Sequence, residues 1–376
     1  MSSVTASRPR LGTIAHVTTV HAWDDNRIYR KECRSLARAG YRVVLIATAA
    51  PAGMQDGVEC IPLPRRGGRF RRMLFGPLDT ARALRLAAAD LYHLHDPELL
   101  PLGFLLALTG HRVVFDAHED LAAQIMSKLY LPPLLRPLLA TGARVLQRVA
   151  GRLSSRIVAA TPAIAAGYPA DKTCLVQNFP LPDELSPVAG PPYLERPARI
   201  AYVGGLTAVR GVVEMVRAIG LIGEVPGCAL TMAGRFEPGL EERCRELAGW
   251  KRVNAVGWQS RPEVAALLGQ SRLGLVLYHP EPNHIEAQPN KLFEYMAAGI
   301  PVLASDFPLW RDLLTRYQCG LVVDPLDPIA IAGAIQWLLD HPDQARQMGE
   351  NGRRAVLERF NWEAEATTLL RCYLQL

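Results

Sequence analysis

Short apolar runs alternate with stretches of helical periodicity along the whole 376-residue chain, and this alternation is what most narrows the folds open to it. In the first half, residues 13–20, 41–48, 91–95, 112–116 and 156–160 read as strands, with amphipathic stretches such as 27–38 and 98–108 between them. Strand–helix alternation of this kind implies parallel βαβ units, with helices covering both faces of a sheet. A stretch rich in proline and glycine, FPLPDELSPVAGPPYLERP at 179–197, interrupts the pattern and reads as an interdomain linker. The alternation resumes through 200–203, 229–233, 273–278, 301–304 and 320–323, and three helical segments follow Asp324-Pro325, the last beginning near Trp362. The chain therefore reads as α/β, with two doubly wound, Rossmann-like domains facing a cleft, residues 1–185 and 186–358, and a last helix at 359–376. Such a chain is too long for one ordinary core, which agrees with two domains. In open sheets of this type ligands bind beyond the carboxyl ends of the strands, so those ends hold the functional interest.

Composition narrows the class further. With 49% hydrophobic and 21% charged residues the chain has the balance of a soluble globular protein. Residues 1–12 lack an apolar core of signal-peptide length, and the apolar run at 99–110 is too short to span a bilayer. Seven cysteines, an odd number with no close pair, point to reduced thiols, not a disulfide or zinc framework, and so to the cytoplasm. The charge is uneven: 23 basic against 15 acidic side chains through residue 190, and 19 against 21 beyond it. From residue 121 to 170 there is no Asp or Glu, while Lys128, Arg136, Arg144, Arg148, Arg152 and Arg156 fall there, after the apolar run 131–139. Arg144, Arg148 and Arg152 are spaced to share one helix face. A second cluster, Arg65, Arg66, Arg69, Arg71 and Arg72, runs into Met73-Leu74-Phe75. Cations beside apolar residues suit a peripheral contact with an anionic membrane surface on the inner face of the membrane. Little aromatic residue is interleaved for base stacking, so no nucleic-acid partner is expected. A solvated helix face plus an arginine-bearing loop is the alternative.

Several strand ends are polar. The first strand runs into His21-Ala22-Trp23-Asp24-Asp25-Asn26-Arg27, without the three spaced glycines of a dinucleotide-binding turn, and that fingerprint is also missing after Val203, which counts against NAD or FAD. Two further ends read His93-Leu94-His95-Asp96 and Asp116-Ala117-His118-Glu119-Asp120. Three polar ends in one sheet mark a site. Such residues are also metal-ligand types, but His93 and His95, read as pointing to opposite faces of their strand, give no shared site, and no metal is expected. In the second half, Gly204-Gly205 opens a strand-to-helix turn that carries Arg210 and Gly211. Glycines let the backbone approach a phosphate, and Arg210 offers a guanidinium to its oxygens, although a plain turn would read the same way. Pro289 can open a helix, and Lys291, one of only five lysines against 37 arginines, stands at its start. Between residues 292 and 305 the only charge is Glu294, a carboxylate that must face solvent or hold a specific partner. Glu286 stands in the loop before this helix. A loop, a helix N-terminus and flanking acids suit a phosphorylated ligand.

Taken together, these residues carry a resemblance. Glu286 and Glu294, in a segment ending EYMAAGIPV, resemble the paired-glutamate motif of family-4 glycosyltransferases with the GT-B fold. DNRIYRKECRSLARAGYRV (25–43), HLHDPELLPLG (93–103), AYVGGL and RG (201–211), CGLVVDP (319–325) and RFNWE (359–363) fall in register with the same family. The resemblance implies a nucleotide sugar of UDP or GDP type on the second domain, a hydroxyl acceptor on the first, retention of anomeric configuration, no cofactor or bound metal, and a C-terminal helix crossing back to the first domain. It implies catalytic roles for His118 and Glu286, and donor binding by Gly204, Gly205, Arg210, Trp258, Asn290, Lys291, Leu292 and Glu294. His21, Asp25, His95 and Asp96 would lie on the acceptor side. Members often carry arginine where Gly205 stands, so the diphosphate here would lean on Arg210 and Lys291. The implied setting is cell-surface polysaccharide or glycolipid assembly. The alternatives are transfer to a soluble metabolite, a sugar-nucleotide epimerase, a lysine-bound pyridoxal phosphorylase, and a silent membrane-surface protein that kept the fold.

Overall fold

A computed structural model of the protein describes residues 11–65, 69–127, 131–182, 184–185 and 190–376. The chain forms two compact units, Met1–Asn178 with Glu363–Leu376, and Phe179–Trp362. The first contains β1 (Leu11–Ala22), β2 (Tyr41–Thr48), β3 (Gly53–Gln55), β4 (Val58–Leu63), β5 (Leu91–Leu94), β6 (Arg112–Ala117), β7 (Arg156–Ala159) and β8 (Thr173–Leu175). They lie in the order β3-β4-β2-β1-β5-β6-β7-β8, and only β3 runs antiparallel to its neighbour. The second contains β9 (Arg199–Val203), β10 (Ala229–Ala233), β11 (Val253–Gly257), β12 (Leu273–Val276), β13 (Val302–Ser305) and β14 (Gly320–Val323). Their order is β11-β10-β9-β12-β13-β14, all parallel. Two doubly wound sheets are thus confirmed, and the three helices after Asp324 form at Pro328–Asp340, Pro342–Glu358 and Trp362–Leu374. Short β3, β4, β8 and β11 escaped the sequence reading; β11 is largely exposed and β4 carries Pro62, so neither shows a clean apolar run.

Local chemistry explains where the side chains point. Asp25 caps the helix after β1, accepting the N–H groups of Arg27 (2.8 Å) and Ile28 (3.0 Å). That helix opens in wide π geometry over Asn26–Cys33 before Arg34–Arg38, which turns Arg27, Lys31 and Glu32 inward. In the second unit, every residue of the helix Asn290–Ala297 except Asn290 is buried. Tyr295 lies against Gly274 of β12, where a Cβ would stand 2.3 Å from the ring, and its hydroxyl accepts the Val203 N–H at 2.9 Å. One side chain thus fixes this helix to two strands.

Three described residues of the stretch expected as a linker instead belong to the second unit's core. Phe179 packs on Phe293 and Phe360 with ring centroids 4.7 and 5.2 Å apart, Leu185 is fully buried, and the Tyr193 hydroxyl donates to the Arg272 carbonyl at 2.7 Å. Prolines restrict this segment's backbone but leave its apolar side chains free to pack.

Gly211, which opens the helix Val212–Leu221, has φ of +72° and would place a Cβ 2.1 Å from the Leu277 carbonyl oxygen. Gly211→Ala is expected to cost at least ~1–3 kcal/mol of stability, from strain and the clash together. Gly333, inside the helix Pro328–Asp340 with nothing within 4 Å of its Cβ position, is the opposite case: Gly333→Ala should stabilise by roughly 0.5–1 kcal/mol. Urea unfolding of both variants checks the pair.

Candidate active site

In the second unit a cationic seat forms where β9 meets the helix Asn290–Ala297. Lys291 is buried, with Nζ 3.8 Å from the centroid of the Tyr202 ring and 5.2 Å from that of Tyr278. Arg210 lies over the same Tyr278 ring, 5.6 Å from its centroid. Both cations stand above the glycine turn: a Cβ on Gly204 would meet Lys291 Nζ at 3.1 Å, and one on Gly205 would meet Arg210 Nη1 at 2.8 Å. A side chain at 205 would have to displace the tip of Arg210. Lys291 Nζ has no hydrogen-bond acceptor. Burial, then the nearby Arg210, holds its pKa well below the usual lysine range. A buried ammonium with aromatic faces below it and no counter-ion lacks only an anion above it.

Glu294 holds a specific partner and does not point to water. Its carboxylate accepts Arg261 Nη1 at 2.8 Å, and Arg261 binds Glu184 with its other nitrogens at 3.0 Å each. Neither Arg261 nor Glu184 stands out in the sequence, because they are far from Glu294 along the chain. The Leu292 N–H donates to the Pro289 carbonyl at 3.1 Å, so of the expected donor-binding residues Asn290, Lys291 and Leu292 the last has its amide already engaged, and the first two present first-turn N–H groups. Glu286 is exposed at the end of the short helix Pro282–Ile285, in a loop pinned by the Trp310 indole N–H donating to the Ala287 carbonyl (2.7 Å). Trp258 follows β11 and is 67% exposed.

In the first unit the polar strand ends form one network. Asp96 is buried and accepts the Thr19 N–H (2.6 Å), the Thr18 hydroxyl (2.9 Å) and His21 Nδ1–H (2.9 Å). Burial alone would raise its pKa, but these donors, His21 first, take it down to about 2, and the same contact raises His21. Asp116 is gripped by Arg27 through Nε (2.9 Å) and Nη2 (2.8 Å), accepts His95 Nδ1–H (2.9 Å), and lies 3.3 Å from His118 Nδ1. His118 is partly exposed, and its ring meets His21 edge-on at 5.0 Å between centroids. His21 also lines an open cavity of about 590 Å³ with Val20, Thr48, Leu63, Arg65 and Asp79.

Of the acceptor-side set, His21 reaches this cavity, Asp25 is engaged as a helix cap, and Asp96 is buried beneath His21. His95 is wholly buried, bonded to His16 (2.9 Å) and Asp116. The reading that His93 and His95 point to opposite faces is overturned. Their rings stack 4.6 Å apart, because residues two apart on a strand share a face. Arg27, in the polar end of the first strand, completes this network with His16 and Glu32, which went unnoticed in the sequence because they look there like ordinary strand and helix residues.

Arg144, Arg148 and Arg152 are exposed along the helix Arg136–Leu153, with Leu138, Leu139 and Val145 also exposed on it. Arg66 and Lys128 lie outside the described residues, as do the side chains of Arg69, Arg71, Arg72, Met73, Leu74 and Phe75. Among the described residues no helix is long and apolar enough to cross a membrane.

Comparison with known proteins places this geometry. Residues 192–355 match the model of glycosyl transferases group 1, and residues 26–178 match that of the glycosyl transferase 4-like domain. The chain is 28% identical over 181 residues to a glycogen synthase of Mycobacterium tuberculosis, a match spanning 47% of this chain and 42% of that protein, less than half of its length. It is 23% identical over 363 residues to a phosphatidyl-myo-inositol mannosyltransferase of Mycolicibacterium smegmatis, covering 90% of this chain and 86% of that one. HepE of Anabaena, solved in complex with UDP-glucose, superposes with a TM-score of 0.75 at 15% identity, over 97% of this chain and 100% of that chain. With two parallel-sheet units matched in turn by the two models, the chain belongs to the family-4 glycosyltransferases of GT-B fold.

Proposed function

We propose that this glycosyltransferase moves a sugar, with retention, from a nucleoside diphosphate of UDP or GDP type to a hydroxyl acceptor in surface polysaccharide or glycolipid assembly. The observation that carries the reading is Lys291, a buried ammonium without an acceptor, set beside Arg210 over Gly204-Gly205. Breaking the sugar–phosphate bond builds negative charge on the diphosphate and positive charge on the ring. Two fixed cations and the first amides of the helix Asn290–Ala297 answer the negative charge without reorganising, so the diphosphate needs no metal or other cofactor. Glu294, oriented by Arg261, takes the donor ribose, and Trp258 the base. Glu286 contacts the donor sugar. His118, held next to Asp116, acts beside the reacting sugar, and His21, held by Asp96, faces the acceptor, with the cavity beside His21 as its seat. HepE's complex with UDP-glucose supports the donor class, and the mannosyltransferase relative supports a lipid-linked acceptor.

A nucleotide-sugar panel screened by thermal shift identifies the donor, because a ligand that binds only the folded state raises the midpoint by mass action. With that donor, Glu294→Gln should weaken binding roughly 10- to 150-fold, or about 1.5–3 kcal/mol for a lost hydrogen bond to a charged group. Glu286→Gln should lower kcat more than it changes donor affinity. The wild-type assay is run with chelator and no added divalent ion. Wild-type kinetics in both variants, or a rate that appears only with magnesium or manganese, overturns these roles.

Lys291 also gives donor binding a pH dependence. Its depressed pKa leaves it neutral over part of the alkaline range when no anion is present, and a bound diphosphate favours the charged form. Between the two pKa values binding takes up a proton, so donor affinity should fall as pH rises through that window. Calorimetry in buffers of different ionisation enthalpy should show the uptake, and Lys291→Met should remove it along with most of the affinity.

The exposed arginines and leucines of the helix Arg136–Leu153 are proposed to dock on an anionic membrane surface, each cation worth about 1 kcal/mol there. Vesicles containing anionic lipid should sediment the protein at low salt, and neutral vesicles should not. Replacing Arg144, Arg148 and Arg152 together by Ser should reduce binding. No binding to anionic vesicles at low salt rules the surface out.

A further inference from the structure

Four side chains that the proposed transfer does not touch converge inside the first unit: His16 on β1, Glu32 on the helix after it, His93 on β5 and His95 just beyond its end. All four are 0% exposed, and one donor atom from each lies within 4.8 Å of the other three. Parallel pairing sets His16 directly beside His93, with ring centroids 4.6 Å apart.

Glu32 is the member that needs an explanation. Neither of its oxygens receives a hydrogen bond, although both are closed off from solvent. Arg27 Nε passes 3.1 Å from Oε1, but its single hydrogen goes to Asp116 Oδ2 at 2.9 Å. A proton on Glu32 does not resolve this, since His16 Nδ1 and His93 Nδ1 both stand 3.9 Å from Oε2, beyond hydrogen-bond reach. His93 Nε2 is likewise buried without a partner.

We propose that His16, Glu32, His93 and His95 hold a divalent transition-metal ion of the zinc class, which acts as a structural staple of the first unit. Three imidazoles and a carboxylate make a closed set of four nitrogen and oxygen donors, the kind that suits zinc. Donors around a tetrahedral zinc at its usual bond lengths stand ~3.3–3.6 Å from one another. With Tyr373 on His93 Nδ1, the unpartnered Nε2 is the nitrogen left for the ion, and the observed 2.9 Å from His16 Nδ1 to His95 Nε2 and 3.9 Å from His16 Nδ1 to Glu32 Oε2 bracket that spacing. The surroundings fit as well. His95 passes its other N–H to Asp116, which Arg27 holds in place, and His93 meets the Tyr373 hydroxyl. Contacts of this kind fix the tautomer and orientation of a metal-bound imidazole. Because Tyr373 belongs to the helix Trp362–Leu374, the ion also fastens the C-terminal helix to the sheet. The ligand set has no open position and does not take part in transfer.

The test uses the full, tag-free chain and reads metal, not transfer. A wholly buried ion leaves only when the unit opens, so chelator in a short assay does not strip it, whereas unfolding in guanidinium with chelator does. Refolded metal-free protein is then titrated with cobalt(II) alone. The visible absorption of four-coordinate cobalt should appear and saturate at about one equivalent, with a thermal midpoint that rises with added metal. Glu32→Gln and His93→Gln should lose both signals, while His111→Ala, an exposed histidine outside the cluster, should keep them. Should a variant fail to fold, the wild-type titration still decides. No cobalt absorption and no metal-dependent rise in refolded wild type overturns the proposal, as does an unchanged cobalt signal in folded His93→Gln.

Discussion

A charge closed inside a parallel sheet must be matched, and much of the first unit is arranged around the matching of Asp116. Its carboxylate is gripped by Nε and Nη2 of the Arg27 guanidinium and receives His95 from just past the end of the neighbouring strand. Burial would raise the Asp116 pKa, but Arg27 first, with the histidines, holds it well below the carboxylate range. An ion pair this deep costs several kcal/mol in desolvation for each ion and is retained only where hydrogen bonds saturate it. Here it orients what stands around it: Arg27 ties the first helix to β6 and to the Val176 carbonyl, and His118 is placed at the partly exposed edge.

The second unit solves a related problem differently. Glu294 is matched by Arg261, which Glu184 holds in turn, and so it is fixed before any ligand arrives. Lys291 is left without an anion, over aromatic rings that only partly replace water. One acid is satisfied and one cation is not, and the imbalance points outward, at the glycine turn where the backbone can approach a phosphate. Preorganised charge of this sort acts on a transition state without the delay and cost of turning solvent dipoles.

The two units also differ in how they use histidine. In the second, His284 donates Nδ1–H to the His279 carbonyl, a local contact between nearby residues. In the first, His16, His93 and His95 come from two strands and stack as a group. Neighbouring strands brought these rings together, and nothing in the spacing of His16 and His93 along the chain announces it.

Periodicity was enough to determine the doubly wound α/β class, the strands Tyr41–Thr48, Ala229–Ala233 and Gly320–Val323, and the closing helices, because buried parallel strands and amphipathic helices are local patterns. The charge-poor run around Glu294, the glycine turn and the isolated Lys291 were legible for the same reason: each is unusual against its immediate neighbours. Tertiary structure alone decided which partners those charges take. Arg261 reaches Glu294 across 33 residues, Arg27 reaches Asp116 across 89, and His16 reaches His95 across 79, and no local pattern encodes a contact at such separations. It also decided that Phe179, Leu185 and Tyr193 are core, not linker. Proline content reports how a backbone is restricted, whereas burial depends on which apolar surface the folded sheet leaves uncovered.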